Sequence, residues 1–177
     1  HRLGRLPVPG DETAAEMYEV TQALTAEAGL PAYEISNHAR PGAESRHNLV
    51  YWRMGDYAGV GPGAHGRLTL ADGRRVATET LRDPARWLSA VGESGAAIAA
   101  TEEVARADQA TELALMGLRL AEGISLARHR RLAGAPLDGD RLSALRDDGL
   151  VVVSGDRLSA TPRGRLVLDR LLGELLG

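Results

Sequence analysis

Cysteine, lysine and phenylalanine are absent from this 177-residue sequence, and aromatic residues make up only 3% of it. Without cysteine the chain can form no disulfide, bind no metal through a thiolate and use no cysteine nucleophile. Every one of the 21 basic side chains is therefore an arginine. Because aromatic residues are so few, most of the core volume must come from leucine, valine and alanine.

An excess of positive charge and long apolar runs are also lacking. The net charge of −3 argues against a large nucleic-acid interface, which needs basic residues to neutralise phosphates. We find no signal peptide and no apolar run of about 18 residues, so we predict neither secretion nor a membrane span. A cytoplasmic location fits the missing disulfides. The sequence starts at His1 in mid-pattern, and we expect it to be a piece of a longer chain.

The first 80 residues show the patterns of an α/β protein. Four elements are expected there: a helix over 12–28, short strands over 32–35 and 57–61, and a hairpin of strands 65–70 and 74–80. An irregular loop should fill residues 37–56. A helix that leads into a short apolar strand is one unit of a larger parallel sheet or barrel. One such unit cannot close a barrel by itself.

The remaining residues read mainly as helices. We expect helices over 84–97, 101–120, 126–132, 140–147 and 162–176, and a hairpin over 150–160. Residues 81–100 would be a linking helix with a linker near Gly95, and residues 101–177 a separate domain. Three helices, a hairpin and a helix follow one another as in a winged-helix-like module. Its would-be recognition helix, Asp140–Asp148, carries more acidic than basic residues, which argues against DNA binding.

The densest group of polar and aromatic residues is His47-Asn48-Leu-Val-Tyr51-Trp52. In a functional interpretation these residues contact a tetrapyrrole. An imidazole can bind iron, tyrosine and tryptophan rings can stack on a flat macrocycle, and Asn48 can orient the imidazole through its second nitrogen. The alternative is a loop that folds back to bury Trp52, with His47 and Asn48 satisfying backbone groups.

A glycine-rich stretch follows, with alternate glycines at Gly59, Gly61 and Gly63 before His65. Alternate glycines on a strand allow a ligand or another backbone to approach closely. The alternative is simple crowding against the preceding strand. A hairpin rather than a helix is expected next, so the pattern is not a dinucleotide-binding fingerprint.

Two further polar positions have a structural and a functional interpretation. Glu34 and Ser36 would share one face of their strand and could line a cavity mouth, although such residues more often serve as structural caps. His129 lies in a basic helix end, Ala-Arg-His-Arg-Arg, and we predict that it faces solvent.

The stretch YEISNHARPG…SRHNLVYWRMGDYAGVGPGAHG resembles the radical-SAM heme chaperones called HemW, relatives of the oxygen-independent coproporphyrinogen III oxidases. The H-N-x-x-Y-W spacing looks like the hallmark of that family, and the ADGR, ELALMGLRL and DGLVVVSGDRLSATPRGRLVLD segments resemble its C-terminal domain. The likeness covers essentially all 177 residues. It implies a C-terminal part of a radical-SAM barrel in residues 1–80, followed by the helical, winged-helix-like domain.

The resemblance also implies cofactors and partners. It implies heme as the ligand of His47, Asn48, Tyr51 and Trp52, and SAM near Gly61, Gly63 and His65 in the intact protein. Family members bind a [4Fe–4S] cluster through a C-x-x-x-C-x-x-C motif. This chain has no cysteine, so those ligands should lie upstream of His1, and we predict no radical chemistry from this chain alone.

Three functions follow as hypotheses. The first is a heme chaperone that passes heme to acceptor proteins, with any membrane contact made through the acceptor. The second is part of an oxygen-independent coproporphyrinogen III oxidase of porphyrin biosynthesis. The H-N-x-x-Y-W motif favours the chaperone, because the resemblance links it to that branch. The third, a winged-helix DNA-binding protein, is the least favoured.

Overall fold

The computed structural model describes residues 8–177, so the start of the predicted first domain, residues 1–7, lies outside the described range. Antiparallel sheets and short helices alternate along the chain. In order, these elements are α1 (Asp11–Glu27), α2 (Arg46–Trp52), β1 (His65–Thr69), β2 (Arg75–Thr80), α3 (Pro84–Ser94), β3 (Ile98–Glu103), α4 (Arg106–Gly117), β4 (Ile124–Ser125), α5 (Leu126–Ala133), α6 (Gly139–Asp147), β5 (Val151–Ser154), β6 (Arg157–Ala160), α7 (Pro162–Leu166) and α8 (Leu168–Leu176).

The first sheet has the order β1-β2-β3, and all its strands are antiparallel. The hairpin of β1 and β2 confirms the sequence prediction. It forms because an Asp-Gly turn joins two β-prone segments. The third strand, β3, was not predicted. Thr101, Glu102 and Glu103 were expected to begin a helix, but they pair with β2, and α4 begins only at Arg106. β3 forms because the second edge of β2 offers backbone N–H and C=O groups that need hydrogen-bond partners. A capping signal in the local sequence gives no information about this distant strand.

Both short strands predicted in the N-terminal half are wrong. Residues 32–35 form only isolated bridges, Ala32 with His38 and Glu34 with Leu120, inside a tight loop. In the segment 57–61 only Tyr57 pairs, with Arg67 of β1. A parallel strand needs a neighbouring strand to pair with, and residues 8–177 contain only the two antiparallel sheets. The partial barrel therefore stays a prediction for the intact protein.

The second sheet has the order β4-β6-β5 and lies among the C-terminal helices. Its hairpin, β5 with β6, confirms the predicted one. The main core is built almost entirely by this C-terminal region; its buried members are Met54, Leu113, Ala114, Leu118, Ile124, Leu145, Val151, Leu158, Ala160, Leu168, Leu171, Leu172 and Leu175. Leucine dominates this set, as the lack of phenylalanine requires.

The helices near the C-terminus differ from the prediction in two ways. The single helix expected over 162–176 is broken at Val167, whose φ and ψ of −123° and 30° are not helical. Gly164 packs directly on the carbonyl of Leu150, so α7 is held against the segment before β5. The break lets α8 turn four leucines into the core. His129, predicted to face solvent, is buried at 5% exposure on α5, a helix that packs on α4.

Helix lengths and hydropathy bear on the membrane question. None of the helices within residues 8–177 combines the length and the apolar character needed to cross a bilayer.

Candidate functional site around helix α2

The H-N-x-x-Y-W motif lies on a two-turn helix, α2, and not in the irregular loop that was predicted for residues 37–56. The side chain of Ser45 accepts a hydrogen bond from the backbone N–H of Asn48, which caps the first turn. On a helix, residues four apart lie on the same face. The motif is therefore two such pairs: His47 with Tyr51, and Asn48 with Trp52.

The first pair forms the exposed side of α2. The Tyr51 hydroxyl lies 3.1 Å from Nε2 of His47, and the two rings meet edge to face with centroids 4.9 Å apart. Tyr57 continues this surface, because its ring centroid lies 4.5 Å from that of Tyr51. The His47 side chain is exposed, and both tyrosines are half-buried. An imidazole and two aromatic rings thus share one accessible surface.

The second pair faces the body of the protein. Nδ2 of Asn48 donates a hydrogen bond to the Tyr33 hydroxyl at 3.3 Å. The guanidinium of Arg119 lies over the Trp52 ring, with 4.9 Å from Cζ to the ring centroid, and the Trp52 Nε1–H is buried without a partner in the described part of the chain. The expected bond from Asn48 to the imidazole is therefore wrong: Tyr51, not Asn48, contacts His47.

The turn after α2 is held by two arginines. Met54 is buried and has a positive φ of 56°, which is unusual for a residue with a side chain. Arg128 of α5 donates hydrogen bonds to the carbonyls of Arg53 and Met54. The buried Arg75 of β2 donates to the carbonyl of Gly55 and pairs with Asp56 at 2.8 Å. These contacts fix the C-terminal end of α2 against β2 and α5.

Charge and hydrogen bonding set the pKa of the acid in this turn. Burial by itself would raise the pKa of Asp56, but hydrogen bonds from Thr69 and the positive charge of Arg75 outweigh that effect, and the pKa lies below its usual value. Asp56 is therefore ionised at neutral pH and keeps Arg75 in place.

Glu34, an alternative candidate for a cavity mouth, is fully buried. Its Oε1 accepts hydrogen bonds from the backbone N–H and hydroxyl of Ser36 and from the side-chain amide of Asn37. This geometry is that of a local cap on the loop, which supports the structural interpretation over the functional one. The loop carries Tyr33, so the cap also helps to position the partner of Asn48.

The glycine-rich segment folds as a turn against β2. Gly61 and Gly63 have positive φ values of 109° and 67°. The carbonyl of Gly61 accepts a hydrogen bond from the Thr80 hydroxyl, and the Gly63 N–H donates to the carbonyl of Leu81. His65 is exposed at the start of β1, opposite Glu79. The structure thus brings Gly61, Gly63 and His65 together at the edge of the first sheet, while His47, Asn48, Tyr51 and Trp52 share α2.

Comparison with known proteins assigns the chain. A heme chaperone HemW from Mycobacterium tuberculosis is 38% identical over 99% of this chain and 43% of its own length. The bovine mitochondrial radical S-adenosyl methionine domain-containing protein 1 is 37% identical over 98% of this chain and 41% of its own length. Residues 104–167 match the HemN C-terminal domain family. The chain belongs to the HemW family.

The fold agrees with this assignment. The Escherichia coli radical-SAM enzyme coproporphyrinogen III oxidase, HemN, superposes with a TM-score of 0.63 over 94% of this chain and 42% of its own, at 18% identity. That likeness shows the mixed α/β fold. The chain spans less than half the length of these HemW relatives, and it corresponds to their C-terminal portion, without the cysteine motif.

The chain's own residues fit only some of the groups that HemW membership implies. A [4Fe–4S] cluster needs thiolate ligands, and this sequence contains none. In residues 8–177 there is also no group of three or more His, Asp or Glu side chains arranged to hold a metal ion. A single imidazole beside flat rings does fit heme, which needs only one or two axial ligands from the protein.

Sequence reasoning missed the partners of the HemW motif. Tyr33, Tyr57 and Arg119 contact Asn48, Tyr51 and Trp52 from distant parts of the chain, and no local pattern indicates them. The helix itself could have been found, since Ser45 stands at the N-cap position and the motif repeats polar and aromatic residues at a spacing of four.

Proposed function

We propose that the chain is the C-terminal part of a heme chaperone, which binds heme and transfers it to acceptor proteins. The exposed imidazole of His47, beside the Tyr51 and Tyr57 rings on an anchored helix, is the observation that carries the proposal. The names of the HemW relatives support it, since they match over nearly the whole chain.

The hydrogen bond between Tyr51 and His47 indicates which imidazole nitrogen is available. When the ring nitrogen bonded to a partner carries the proton, the other nitrogen carries the free lone pair. We infer that Nε2–H donates to the Tyr51 hydroxyl oxygen, so Nδ1 is the nitrogen that binds heme iron. Tyr51 also holds the ring in one orientation, as partners of metal-binding histidines commonly do.

The other motif residues have supporting roles in this proposal. The Tyr51 and Tyr57 rings are inclined by 66°, so one can contact the macrocycle by its face and the other by its edge. Asn48 and Trp52 hold α2 in place through Tyr33 and Arg119. Asn48 and Trp52 are thus positioning residues.

The cofactors of the intact protein complete the proposal. The cluster ligands and most of a SAM site belong to the part of the barrel outside this chain, and Gly61, Gly63 and His65 lie at the near edge of that site. The Cβ side of Gly61 faces open space, so a ligand has room there. The domain from about residue 101 onward would pack over the barrel as a docking or lid domain. This chain alone then catalyses no radical reaction, and the intact protein acts in the cytoplasm.

Hemin titration of the chain, followed through the Soret band, tests the iron site. We expect His47→Ala to lose the shifted Soret band and to weaken hemin binding at least about tenfold, the usual effect of disturbing a metal-binding histidine. Tyr51→Phe keeps the ring but removes the hydroxyl that orients His47. This variant should therefore also weaken hemin binding, by at least about tenfold.

His38→Ala is the matched control, because it removes an imidazole that pairs with Gln22 and lies outside α2. Circular dichroism of each variant checks that the fold is kept. Identical hemin spectra for the unaltered chain and a folded His47→Ala variant would remove His47 from the site and end the proposal in this form.

A further inference from the structure

A polar cleft lies beside Arg119, the residue whose guanidinium lies over the Trp52 ring. Its volume is about 290 Å³, and eight residues line it: Ile35, Arg119, Arg165, Leu166, Val167, Leu168, Asp169 and Arg170. We call it the arginine cleft. Half of these residues are apolar. The charged ones are three arginines and one aspartate, so the lining carries a net charge of +2.

The two half-buried arginines of the cleft are only partly satisfied. Nε of Arg119 and Nε of Arg165 are buried, and neither has a hydrogen-bond partner among residues 8–177. A buried guanidinium N–H without an acceptor is costly, so such groups usually have a ligand, water or ion as partner. Arg170 pairs with Glu174 at 2.9 Å, but both side chains are exposed, and an exposed pair of this kind is weak enough to be exchanged.

Apolar surface continues from the cleft. Leu166 and Val167, at the break between α7 and α8, are 37% and 40% exposed. They also line a neighbouring cleft of about 420 Å³, together with Arg163 and Arg170. The arginine cleft alone is at the small end of ligand sites, which span about 300–1,000 Å³. It can therefore hold only one charged edge of a larger ligand.

We propose that the arginine cleft binds the two carboxylates of the tetrapyrrole, an inference that rests on the proposed heme-binding function. Guanidinium groups bind carboxylates through paired, charge-assisted hydrogen bonds, and a net charge of +2 matches two propionates. Arg119 connects the cleft to the HemW motif, because its guanidinium also lies over the Trp52 ring. Asp169 opposes the binding of anions and limits the site to the arginine-lined side.

Metal-free protoporphyrin separates this proposal from the iron site, because it carries the same carboxylates but no iron for His47. Its fluorescence on titration with the full chain gives the affinity. We expect the diacid to bind at least about tenfold more tightly than the dimethyl ester, the difference that charged hydrogen bonds typically make. Equal affinity of the two compounds would overturn the proposal without any variant.

Two variants assign the effect to the cleft. Arg165→Gln and Arg170→Gln, the second at an exposed side chain, should each weaken binding of the diacid and leave binding of the ester unchanged. Arg146→Gln, on the exposed side of α6, is the control and should alter neither. If Arg165→Gln unfolds, Arg170→Gln alone decides. A folded Arg170→Gln and a folded Arg165→Gln that both bind the diacid normally would place the carboxylates elsewhere and contradict the proposal.

Two further comparisons keep the interpretations apart. Succinate offers two carboxylates without a ring, and its displacement of the diacid at equal concentration would reduce the cleft to a general anion site. Hemin affinity that is unchanged in His47→Ala but reduced in Arg165→Gln would contradict the proposed iron site and support the arginine cleft. Hemin affinity that is reduced in His47→Ala but unchanged in the cleft arginine variants would support the iron site and contradict the proposed role of the arginine cleft.

Discussion

His129 is the residue whose environment differs most from what the sequence suggests. It lies among three arginines in the chain, yet its ring is buried and its Nδ1 has no partner within the described residues. Burial lowers the pKa of His129 below its ordinary value of 6.5, because the charged form would lose its hydration. The ring is therefore expected to be neutral in the folded chain, and its protonation couples folding to pH.

The free energy of unfolding should fall as the pH drops below about 6.5. Because the folded pKa of His129 lies below the unfolded value, the unfolded chain takes up this proton first. The contribution is complete above pH 6.5 and is lost as the pH falls towards the folded pKa. His129→Leu should flatten this part of the profile, measured by urea denaturation from pH 5 to pH 8.

His65→Gln, at an exposed imidazole, is the control for that experiment and should keep the slope. An unchanged slope in His129→Leu would show that another group is responsible. The sequence alone gives no sign of this coupling, since the burial of His129 depends on tertiary packing around α5.

Among the elements, those with a complete local signal could be predicted, and those that need a distant partner could not. Asp83 and Ser125 cap α3 and α5, two helices that were predicted, and an Asp-Gly turn closes the first hairpin. The strand β3 was missed because its pairing depends on the edge of β2. Strands were wrongly assigned to 32–35 and 57–61, because a short apolar run does not show whether a partner strand is present.

The candidate site follows the same rule. The motif residues could be named from the sequence, and their grouping into an exposed pair, His47 with Tyr51, and an inward pair, Asn48 with Trp52, follows once α2 is recognised as a helix. Which pair faces outward could not be predicted. That choice depends on Tyr33 and Arg119, which come from a loop and from the end of α4.

The break between α7 and α8 makes a prediction about two glycines. A Cβ on Gly164 would overlap the carbonyl oxygen of Leu150, whereas a Cβ on Gly173 would have no heavy atom within 4 Å. Gly164→Ala should therefore destabilise the chain by about 1–3 kcal/mol, as overpacking does. Gly173→Ala should stabilise it by about 0.5–1 kcal/mol, because alanine loses less entropy in a helix. Urea denaturation of both variants gives the comparison, and equal effects would contradict this packing.

At the scale of the whole molecule, the N-terminal half is attached to the C-terminal core at a few points. Among the core residues within 8–177, only Met54 lies before residue 104, and Ile35 packs against the core from outside. Arg53 pairs with Glu122 at 2.8 Å, and Arg157 also reaches Glu122 at 3.4 Å. The hydrogen bond from Arg53 lowers the pKa of Glu122, so this link should weaken only in acid, below the ordinary value of 4.5.

Because the core is so concentrated, we expect residues 104–177 to fold without the rest of the chain. That segment retains α4 to α8, the second sheet and twelve of the thirteen core residues, and it loses Met54. Emptying the Met54 site should cost about 2–5 kcal/mol, as removal of a large buried side chain does. The segment should therefore show one cooperative thermal transition by circular dichroism, at a lower Tm than the full chain. Met54→Ala in the full chain should reproduce part of that decrease. A segment without a cooperative transition would mean that α1 to β3 contribute to the stability of the core and are not merely attached to it.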